Sequence, residues 1–133
     1  MGDAEKTQKS AVYVSLSKEG ITTKEESDNF SEIVGRLKED ALEWMDFTVE
    51  NIHEDSFVIA TSLKFSLQLV ASVLSDRYSS YEDLDLELGL MLPAVRVERF
   101  DVKVYSLLIF IRKNLIVTIH PKEVVRLQKI YRY

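Results

Sequence analysis

The sequence predicts an α+β fold in which helices pack, sandwich-like, on a mixed and largely antiparallel sheet. Two observations lead to this prediction. Some segments alternate apolar with polar residues, as strands with one wet face do, whereas others repeat their apolar residues every three or four positions, as amphipathic helices do. With 133 residues, of which 46% are hydrophobic, the chain can bury one core without disulfides or metals. We therefore expect a single domain at residues 11–133, after a disordered polar tail at residues 1–10.

The N-terminal segments predict the order strand, helix, strand. Val12, Val14 and Leu16 occupy every second position and would form the apolar row of a first strand. Thr23 and Glu26 have the spacing of a capping box, so we expect a helix to begin there. Its apolar stripe would consist of Phe30, Ile33, Val34, Leu37 and Ala41. Apolar and aromatic residues in segment 42–49 predict the second strand.

Two consecutive helices are predicted next. Segment 52–63 carries apolar residues at helical spacing and two acidic residues in its first turn, where negative charge favours a helix. Segment 67–74 repeats the pattern after Ser66, a suitable N-cap residue. Residues 75–89 are first polar and acidic and then alternate, so we expect them to pass from a loop into a strand.

The C-terminal third is predicted to be mostly β-structure. Alternating valines at 95, 97, 102 and 104 predict two strands with a bend at Arg99-Phe100. Leu107–Ile111 and Leu115–Ile119 are apolar almost throughout and are separated by three polar residues, which predicts a hairpin in the buried middle of the sheet. Pro121 favours the first position of a final helix. The apolar stripe of that helix would consist of Val124, Leu127, Ile130 and Tyr131.

The composition argues against several functional classes. A net charge of −5 has the wrong sign for binding a phosphate backbone, so nucleic acid is not an expected partner. The longest apolar run, Leu107–Ile111, is far shorter than the roughly 20 residues of a membrane helix. The first residues lack the pattern of a signal peptide, and no cysteine is present. There is no glycine-rich phosphate loop, nucleophile elbow or paired-histidine motif, so we predict no enzyme, no catalytic residues and no cofactor-binding residues.

The candidate metal ligands are three acidic residues. Asp83, Asp85 and Glu87 occupy every second position, so in an extended chain their carboxylates would project from one face toward a hard divalent cation. The alternative is the wet side of an edge strand, where acidic residues discourage pairing with other chains. His53 is interpreted as a surface histidine, and His120 as a structural residue at the end of a strand.

Several segments together resemble the CorA family of magnesium transporters. Residues 107–120 consist of an apolar strand, a short turn and the ending Leu-Ile-Val-Thr-Ile-His, and they resemble a hairpin in the family's cytoplasmic domain. Trp44, in Glu-Trp-Met-Asp, resembles a tryptophan strand that precedes paired helices in the family. Residues 65–74 resemble the helix that follows, and residues 90–104 resemble the strands that lead to the hairpin. The resemblance covers residues 11–133.

The resemblance implies the soluble cytoplasmic, metal-sensing and gating domain of a CorA-type transporter for Mg²⁺, Co²⁺ or Ni²⁺. Such a domain would have no transport or catalytic activity of its own. The implied full-length protein is a homo-pentamer, located at the cytoplasmic face of the cell membrane. This full-length protein would be the one that binds Mg²⁺ or Co²⁺. The family's stalk, its two membrane helices and its Gly-Met-Asn motif are not in the sequence, so we expect a domain truncated before them, attached to the membrane only through those missing helices.

One family feature is not matched. Many members carry an acidic pair in the helix after the tryptophan strand, where it contributes to a regulatory metal site, but the matching positions here are Ala71 and Ser72. We therefore assign no metal ligand from the resemblance. The alternative function is a freestanding soluble α+β protein-interaction domain.

Overall fold

The computed structural model describes residues 10–38, 40–75, 80–83 and 87–124, which form one seven-stranded sheet and three helices. The strands are β1 Ser10–Leu16, β2 Thr22–Ser27, β3 Leu42–Val49, β4 Ser80–Asp83, β5 Glu87–Glu98, β6 Asp101–Arg112 and β7 Leu115–Pro121. The helices are α1 Phe30–Val34, α2 Ile52–Ser62 and α3 Leu67–Ser75. Except for Ser10, the predicted tail lies outside the described residues.

The sheet consists of two antiparallel halves that meet at one parallel pair. Its strand order is β2-β1-β3-β7-β6-β5-β4, and β3 pairs in parallel with β7. All other neighbouring strands among the described residues pair antiparallel. The prediction of an α+β fold with a largely antiparallel sheet is confirmed, and the apolar hairpin of β6 and β7 lies in the middle of the sheet as predicted.

The three helices cover one face of the sheet. Successive residues of a strand point to opposite faces, and the residues that face the helices form the core. The buried strand residues of this core are Ala11, Tyr13, Met45, Phe47, Val49, Met91, Leu108, Phe110, Leu115, Val117 and Ile119. From the helices and the turns after them come Ile33, Ile59, Ala60, Leu63, Phe65, Leu69, Val70 and Val73.

Helix α3 approaches the sheet closely at Gly89 of β5. A Cβ atom at Gly89 would lie 2.5 Å from Cγ2 of Val73 and 3.1 Å from Cδ1 of Leu69. Only glycine lets the helix pack at this distance. The predicted helices at 52–63 and 67–74 are confirmed, and the hydroxyl of Ser66 accepts a hydrogen bond from the backbone N–H of Leu69 (3.2 Å), as an N-cap does.

The predicted helix from Thr23 to Ala41 is wrong in most of its length. Residues 22–27 form β2, which pairs antiparallel with β1 through a turn at Gly20. β-branched Thr22 and Thr23 suit a strand, and pairing with β1 outweighs the capping-box spacing. A helix of five residues follows, capped by the side chain of Asn29, and it ends before Gly35.

Strand β1 turns its other face to the core. The predicted apolar row of Val12, Val14 and Leu16 lies on the face away from the helices, and Leu16 is exposed. Tyr13 is buried against the helices instead, because its hydroxyl finds a buried partner in Glu43, to which it donates a hydrogen bond of 2.6 Å.

The C-terminal strands are longer than predicted. The two predicted strands at 102–104 and 107–111 form the single strand β6, because Tyr105 and Ser106 contain no breaking signal between them. Pro121 ends β7 rather than beginning a helix, and the chain turns at Lys122 and Glu123. The remaining stripe residues of the predicted final helix, at 127, 130 and 131, lie outside the described residues.

The β5–β6 hairpin extends beyond its neighbours in the sheet. β4 pairs with β5 only over residues 87–90, and β7 pairs with β6 only over residues 108–112. Residues 92–107 therefore form a two-stranded projection, which we call the arm, with its turn at the predicted Arg99-Phe100 bend.

Candidate functional site

A polar cluster is buried where the two halves of the sheet meet. The parallel register places Asp46 of β3 directly opposite Thr118 of β7, and Thr48 opposite His120. The Thr118 hydroxyl donates a hydrogen bond to Oδ1 of Asp46 (2.6 Å), and Nε2 of His120 lies 2.9 Å from the same oxygen and 3.1 Å from Oδ2. Asp46 and His120 are 3% and 1% exposed, so this is a desolvated ion pair when the imidazole is protonated.

Trp44 extends the cluster toward the surface. Its indole Nε1 donates a hydrogen bond to the hydroxyl oxygen of Thr118 (3.0 Å). Trp44 is half-buried, whereas the other three side chains are buried. By strand alternation these side chains lie on the face away from α1, α2 and α3. We call Trp44, Asp46, Thr118 and His120 the seam cluster.

The geometry favours a charged imidazole. Nδ1 of His120 lies 2.9 Å from the carbonyl oxygen of Pro121, which can only accept, and Nε2 faces a carboxylate. Burial lowers the pKa of His120, but the hydrogen bond to Asp46, the negative charge of Asp46 and the hydrogen bond to Pro121 together raise it above its ordinary value of 6.5. The protonated ring can donate to both partners at once.

This arrangement suits structural support better than catalysis. Both ring nitrogens of His120 are occupied by acceptors, so neither is available to take a proton from a substrate. The Thr118 hydroxyl donates to Asp46 and is buried, so a substrate could not reach it as a nucleophile. What the cluster does is tie β3 to β7 at the point where the chain leaves the sheet.

A second buried carboxylate lies nearby on the helix-covered face. Glu43 is buried and accepts hydrogen bonds from the Tyr13 hydroxyl (2.6 Å) and from the backbone N–H of Lys38 (3.0 Å). Burial, together with the bond to Glu43, raises the pKa of Tyr13 to about 12. This pair fastens the segment after α1 to the sheet.

The acidic residues predicted as metal ligands do not lie along one extended strand. Asp83 ends β4 and Glu87 begins β5, and the two are antiparallel partners in the sheet; Asp85 lies outside the described residues. The Glu87 carboxylate accepts a hydrogen bond from the backbone N–H of Ser66 (3.0 Å), so it supports the start of α3. Within the described ranges, no three histidine, aspartate or glutamate side chains gather as a metal-binding group.

The other positions singled out in the sequence lie on helices. His53 is exposed in the first turn of α2, in agreement with its interpretation as a surface histidine. Ala71 is exposed and Ser72 half-exposed on α3. A methyl group and a hydroxyl do not fit the carboxylate donors that a regulatory Mg²⁺ site of the family would need there.

Sequence reasoning missed Asp46 and Thr118 as a site and found only the structural role of His120. The available signal was a pair of polar side chains on the same face of an otherwise apolar strand, at Thr118 and His120, together with a lone aspartate in β3. The parallel pairing of β3 with β7 joins these side chains, although Asp46 precedes Thr118 by 72 positions and His120 by 74 positions. The prediction did not include this pairing.

No helix in the part of the chain that the structure describes is long and apolar enough to cross a membrane. No family model matches the sequence, and none of the curated proteins matches it.

Solved structures with the same fold are found. The complete CorA magnesium transporter from Methanocaldococcus jannaschii matches over 92% of this chain, with a TM-score of 0.61 and 20% identity. The soluble domain of CorA from the same organism matches over 90% (TM-score 0.53, 18% identity). The ZntB cytoplasmic domain from Vibrio parahaemolyticus matches over 91% (TM-score 0.59, 16% identity).

These matches show that the chain has the fold of CorA-like cytoplasmic domains, as the sequence resemblance predicted. The chain spans only 35% of the complete transporter, 44% of the CorA soluble domain and 47% of the ZntB domain.

Proposed function

We propose that this chain is part of the cytoplasmic regulatory domain of a CorA-type divalent-cation transporter. The observation that carries the proposal is a fold likeness over 92% of the chain to a complete magnesium transporter. It is supported by the Leu-Ile-Val-Thr-Ile-His ending of β7 and by the tryptophan strand β3, which are neighbours in the sheet. In this function the chain itself neither transports nor catalyses, and the transported cations are Mg²⁺ or Co²⁺.

The proposed place of the domain is the cytoplasmic face of the cell membrane, in a homo-pentamer held by segments outside this chain. Metal sensing would then require carboxylates at other positions, because Ala71 and Ser72 carry none. Asp83, Asp85 and Glu87 remain the candidate acidic group, with Glu87 already engaged by Ser66.

Within this function, the seam cluster would be a positioning element. His120 holds the carbonyl of Pro121 on one side and Asp46 on the other. The cluster would therefore fix the direction in which the chain leaves the sheet. Because this direction is fixed, a movement of the domain would also move the segment that follows β7.

The first test is the reading frame of the parent gene beyond Tyr133. Two apolar stretches of about 20 residues with Gly-Met-Asn nearby would support the proposal. A stop codon directly after Tyr133 would contradict it and favour the alternative, a freestanding protein-interaction domain.

The second test is cation uptake by the complete protein in cells that lack their own magnesium uptake systems. We expect growth at low Mg²⁺ to be restored and Co²⁺ sensitivity to rise. Thr118→Val in the seam cluster should change the response of uptake to intracellular Mg²⁺, whereas Thr61→Val on α2 should not. Absence of uptake by well-expressed, folded protein would contradict the proposal.

A further inference from the structure

The imidazole of His120 stands between two hydrogen-bond acceptors. Nδ1 lies 2.9 Å from the carbonyl oxygen of Pro121, and Nε2 lies 2.9 Å from Oδ1 of Asp46. A carbonyl oxygen and an ionised carboxylate can only accept. The protonated ring carries an N–H on each nitrogen and satisfies both acceptors, whereas the neutral ring carries a single N–H. Loss of the proton therefore breaks one of the two contacts.

The contact with Asp46 is the one that persists. A hydrogen bond to an ionised carboxylate is about twice as strong as one to a neutral carbonyl. Asp46 is only 3% exposed, so water cannot replace a lost donor, and a buried charged group without its donor is costly. The neutral ring therefore keeps its proton on Nε2. It then turns the lone pair of Nδ1 toward the Pro121 carbonyl oxygen, and these two atoms repel each other.

Pro121 is the residue at which the chain leaves the sheet. It ends β7, and its carbonyl oxygen also accepts a hydrogen bond from the backbone N–H of Val124 (3.1 Å). We call residues 121–124 the exit turn. Nη1 of Arg96, on the arm, donates a longer hydrogen bond to the Glu123 carbonyl oxygen (3.4 Å). The carbonyl group that closes the exit turn is therefore the same one that the imidazole holds.

The charge next to the ring comes from Asp46. Strand β6, on one side of β7, is apolar over residues 107–111. Strand β3, on the other side, places the uncharged Thr48 opposite His120. The other charged or titratable side chains on the described elements around the ring are exposed, half-buried or across the sheet: Lys122 and Glu123 in the exit turn, Glu50 after β3, and His53, Glu54 and Asp55 on α2.

We propose that a single proton on His120 holds the exit turn in place. The charged ring ties Pro121 to Asp46, whereas the neutral ring stays with Asp46 and releases Pro121. The proton that leaves Nδ1 passes to solvent, and the hydrogen bond from Thr118 to Asp46 is unchanged. The pKa of His120 lies above its ordinary value, so the release falls at a higher pH than for an ordinary histidine. The β3–β7 pairing stays intact.

The coupling between the proton and the exit turn works in both directions. Because each favours the other, a force that displaces the exit turn must lower the affinity of His120 for its proton. One consequence rests on the proposed function: in a transporter, the position of the segment after β7 would respond to pH. The release itself is a property of the 133-residue chain, so failure of transport and failure of the release are separate results.

The first experiment is NMR of the two imidazole rings of the chain, His53 and His120. Nitrogen-15 shifts distinguish a ring nitrogen that carries a proton from one with a free lone pair. Between about pH 6 and pH 9 we expect Nδ1 of His120 to lose its proton while Nε2 keeps its own. His53, which is exposed on α2, supplies the reference shifts of an exposed ring in the same samples.

The second experiment measures the exchange of the Val124 amide proton with water. The matched control is the Gly20 amide, which donates to the Ser17 carbonyl (2.9 Å) in the turn after β1, as Val124 donates to Pro121. Relative to an unstructured peptide, protection of the Val124 amide should fall about two- to tenfold between about pH 6 and pH 9, the factor that one ordinary hydrogen bond gives. Protection of the Gly20 amide should not change.

Two substitutions separate the two contacts of the ring. The amide nitrogen of Gln reaches about as far as Nε2, so His120→Gln keeps a donor toward Asp46; that of Asn reaches about as far as Nδ1, so His120→Asn keeps one toward Pro121. Protection of the Val124 amide should be low at every pH in the first variant and high at every pH in the second. His53→Gln should behave like the wild type. The NMR experiment uses the wild-type chain, so it tests the proposal even where a variant fails to fold.

Several results would overturn the proposal. These are a ring that is already neutral at about pH 6, a neutral ring with its proton on Nδ1, a ring that loses its proton only when the chain unfolds, and protection of the Val124 amide that does not follow the titration of His120. Equal loss of protection at the Thr118 amide, in the middle of β7, would show that the sheet opens there instead of the exit turn.

Discussion

At the scale of single residues, the molecule keeps two carboxylates out of water by giving each of them specific donors. Asp46 has Thr118 and His120, and Glu43 has Tyr13 and the Lys38 backbone. A buried carboxylate without donors would cost several kcal/mol. The side chains of Thr118, His120 and Tyr13 are therefore held in place by the two acids and not by their own propensities.

The His120 side chain predicts a pH-dependent stability. Because its pKa is raised in the folded state above 6.5, the native protein holds a proton that the unfolded chain has released at higher pH. The stabilisation is complete below about pH 6.5 and is lost as the pH rises through the folded-state pKa. Denaturant unfolding at about pH 6 and pH 9 should show this fall in the free energy of unfolding.

His120→Gln should lose most of this pH dependence and should cost about 3–5 kcal/mol near pH 6, because it leaves Asp46 without its charged partner. His53→Gln, at an exposed position on α2, is the control and should keep the wild-type dependence. An identical pH profile in wild type and His120→Gln would show that the imidazole is neutral in the fold.

Phe110 tests the assignment of the core. Its ring is fully buried in β6, with its centroid 5.4 Å from that of Phe65. Phe110→Ala should lower the free energy of unfolding by about 3–5 kcal/mol, because it leaves a cavity. Phe100→Ala, at the exposed turn of the arm, should change it by less than about 0.5 kcal/mol in dilute solution. A loss below about 1 kcal/mol for Phe110→Ala would contradict the buried-hairpin assignment.

At the scale of elements, the helices are positioned by the surface that the strands offer. Helix α3 lies against β5 where Gly89 has no side chain, and Glu87 of the same strand accepts a hydrogen bond from Ser66 just before that helix. Arg112 of β6 donates a hydrogen bond to the Leu63 carbonyl (2.6 Å) at the end of α2, and its guanidinium carbon lies 4.7 Å from the centroid of the Phe65 ring. Contacts with the sheet therefore hold the turn between α2 and α3 in place.

Gly89→Ala should therefore destabilise the protein by about 1–3 kcal/mol, because the new methyl group would force α3 away from the sheet. Gly35→Ala is the matched control, since that glycine has ordinary helical dihedrals and its Cβ would lie 3.3 Å from the Ser31 carbonyl oxygen. We expect a change within about 1 kcal/mol there. Equal costs for the two variants in thermal melts would mean that the close approach at Gly89 contributes nothing.

The sequence predicts those elements whose patterns come from their own burial. An element could be predicted where a continuous stretch of the chain buries one or both of its faces. This holds for segments 42–49, 52–63 and 67–74 and for the apolar hairpin. Strand β2 was not found, because an exposed edge strand needs no apolar row and its Thr and Glu residues also suit a helix start. The seam cluster was not found, because its members become neighbours only through the β3–β7 pairing.

At the scale of the whole molecule, the two buried carboxylates that the structure describes, Asp46 and Glu43, already accept hydrogen bonds from neighbouring groups. The described residues contain no acidic group arranged to bind a cation. Divalent cations need several oxygen ligands held in place before binding. The described part of the chain holds no such set of ligands, so we predict weak binding of Mg²⁺ there.

Mg²⁺ or Co²⁺ should therefore change the melting temperature of this chain little. A ligand that binds only the native state raises stability with the logarithm of its concentration over the dissociation constant. At millimolar Mg²⁺ we expect no shift beyond that of a monovalent salt at matched ionic strength. A shift of several degrees that Asp83→Asn with Asp85→Asn abolishes would instead establish these residues as a site.

The parallel pairing of β3 with β7 also sets the order in which the chain can fold. Pairs within each half join segments close in sequence, whereas the seam joins residues more than 70 positions apart, and closing such long loops is slow. During synthesis β3 emerges long before β7 and must wait as an open edge, with Met45 and Phe47 on its apolar side. A nascent chain in which β7 has not yet been made therefore exposes an open strand edge that is prone to pairing with other chains.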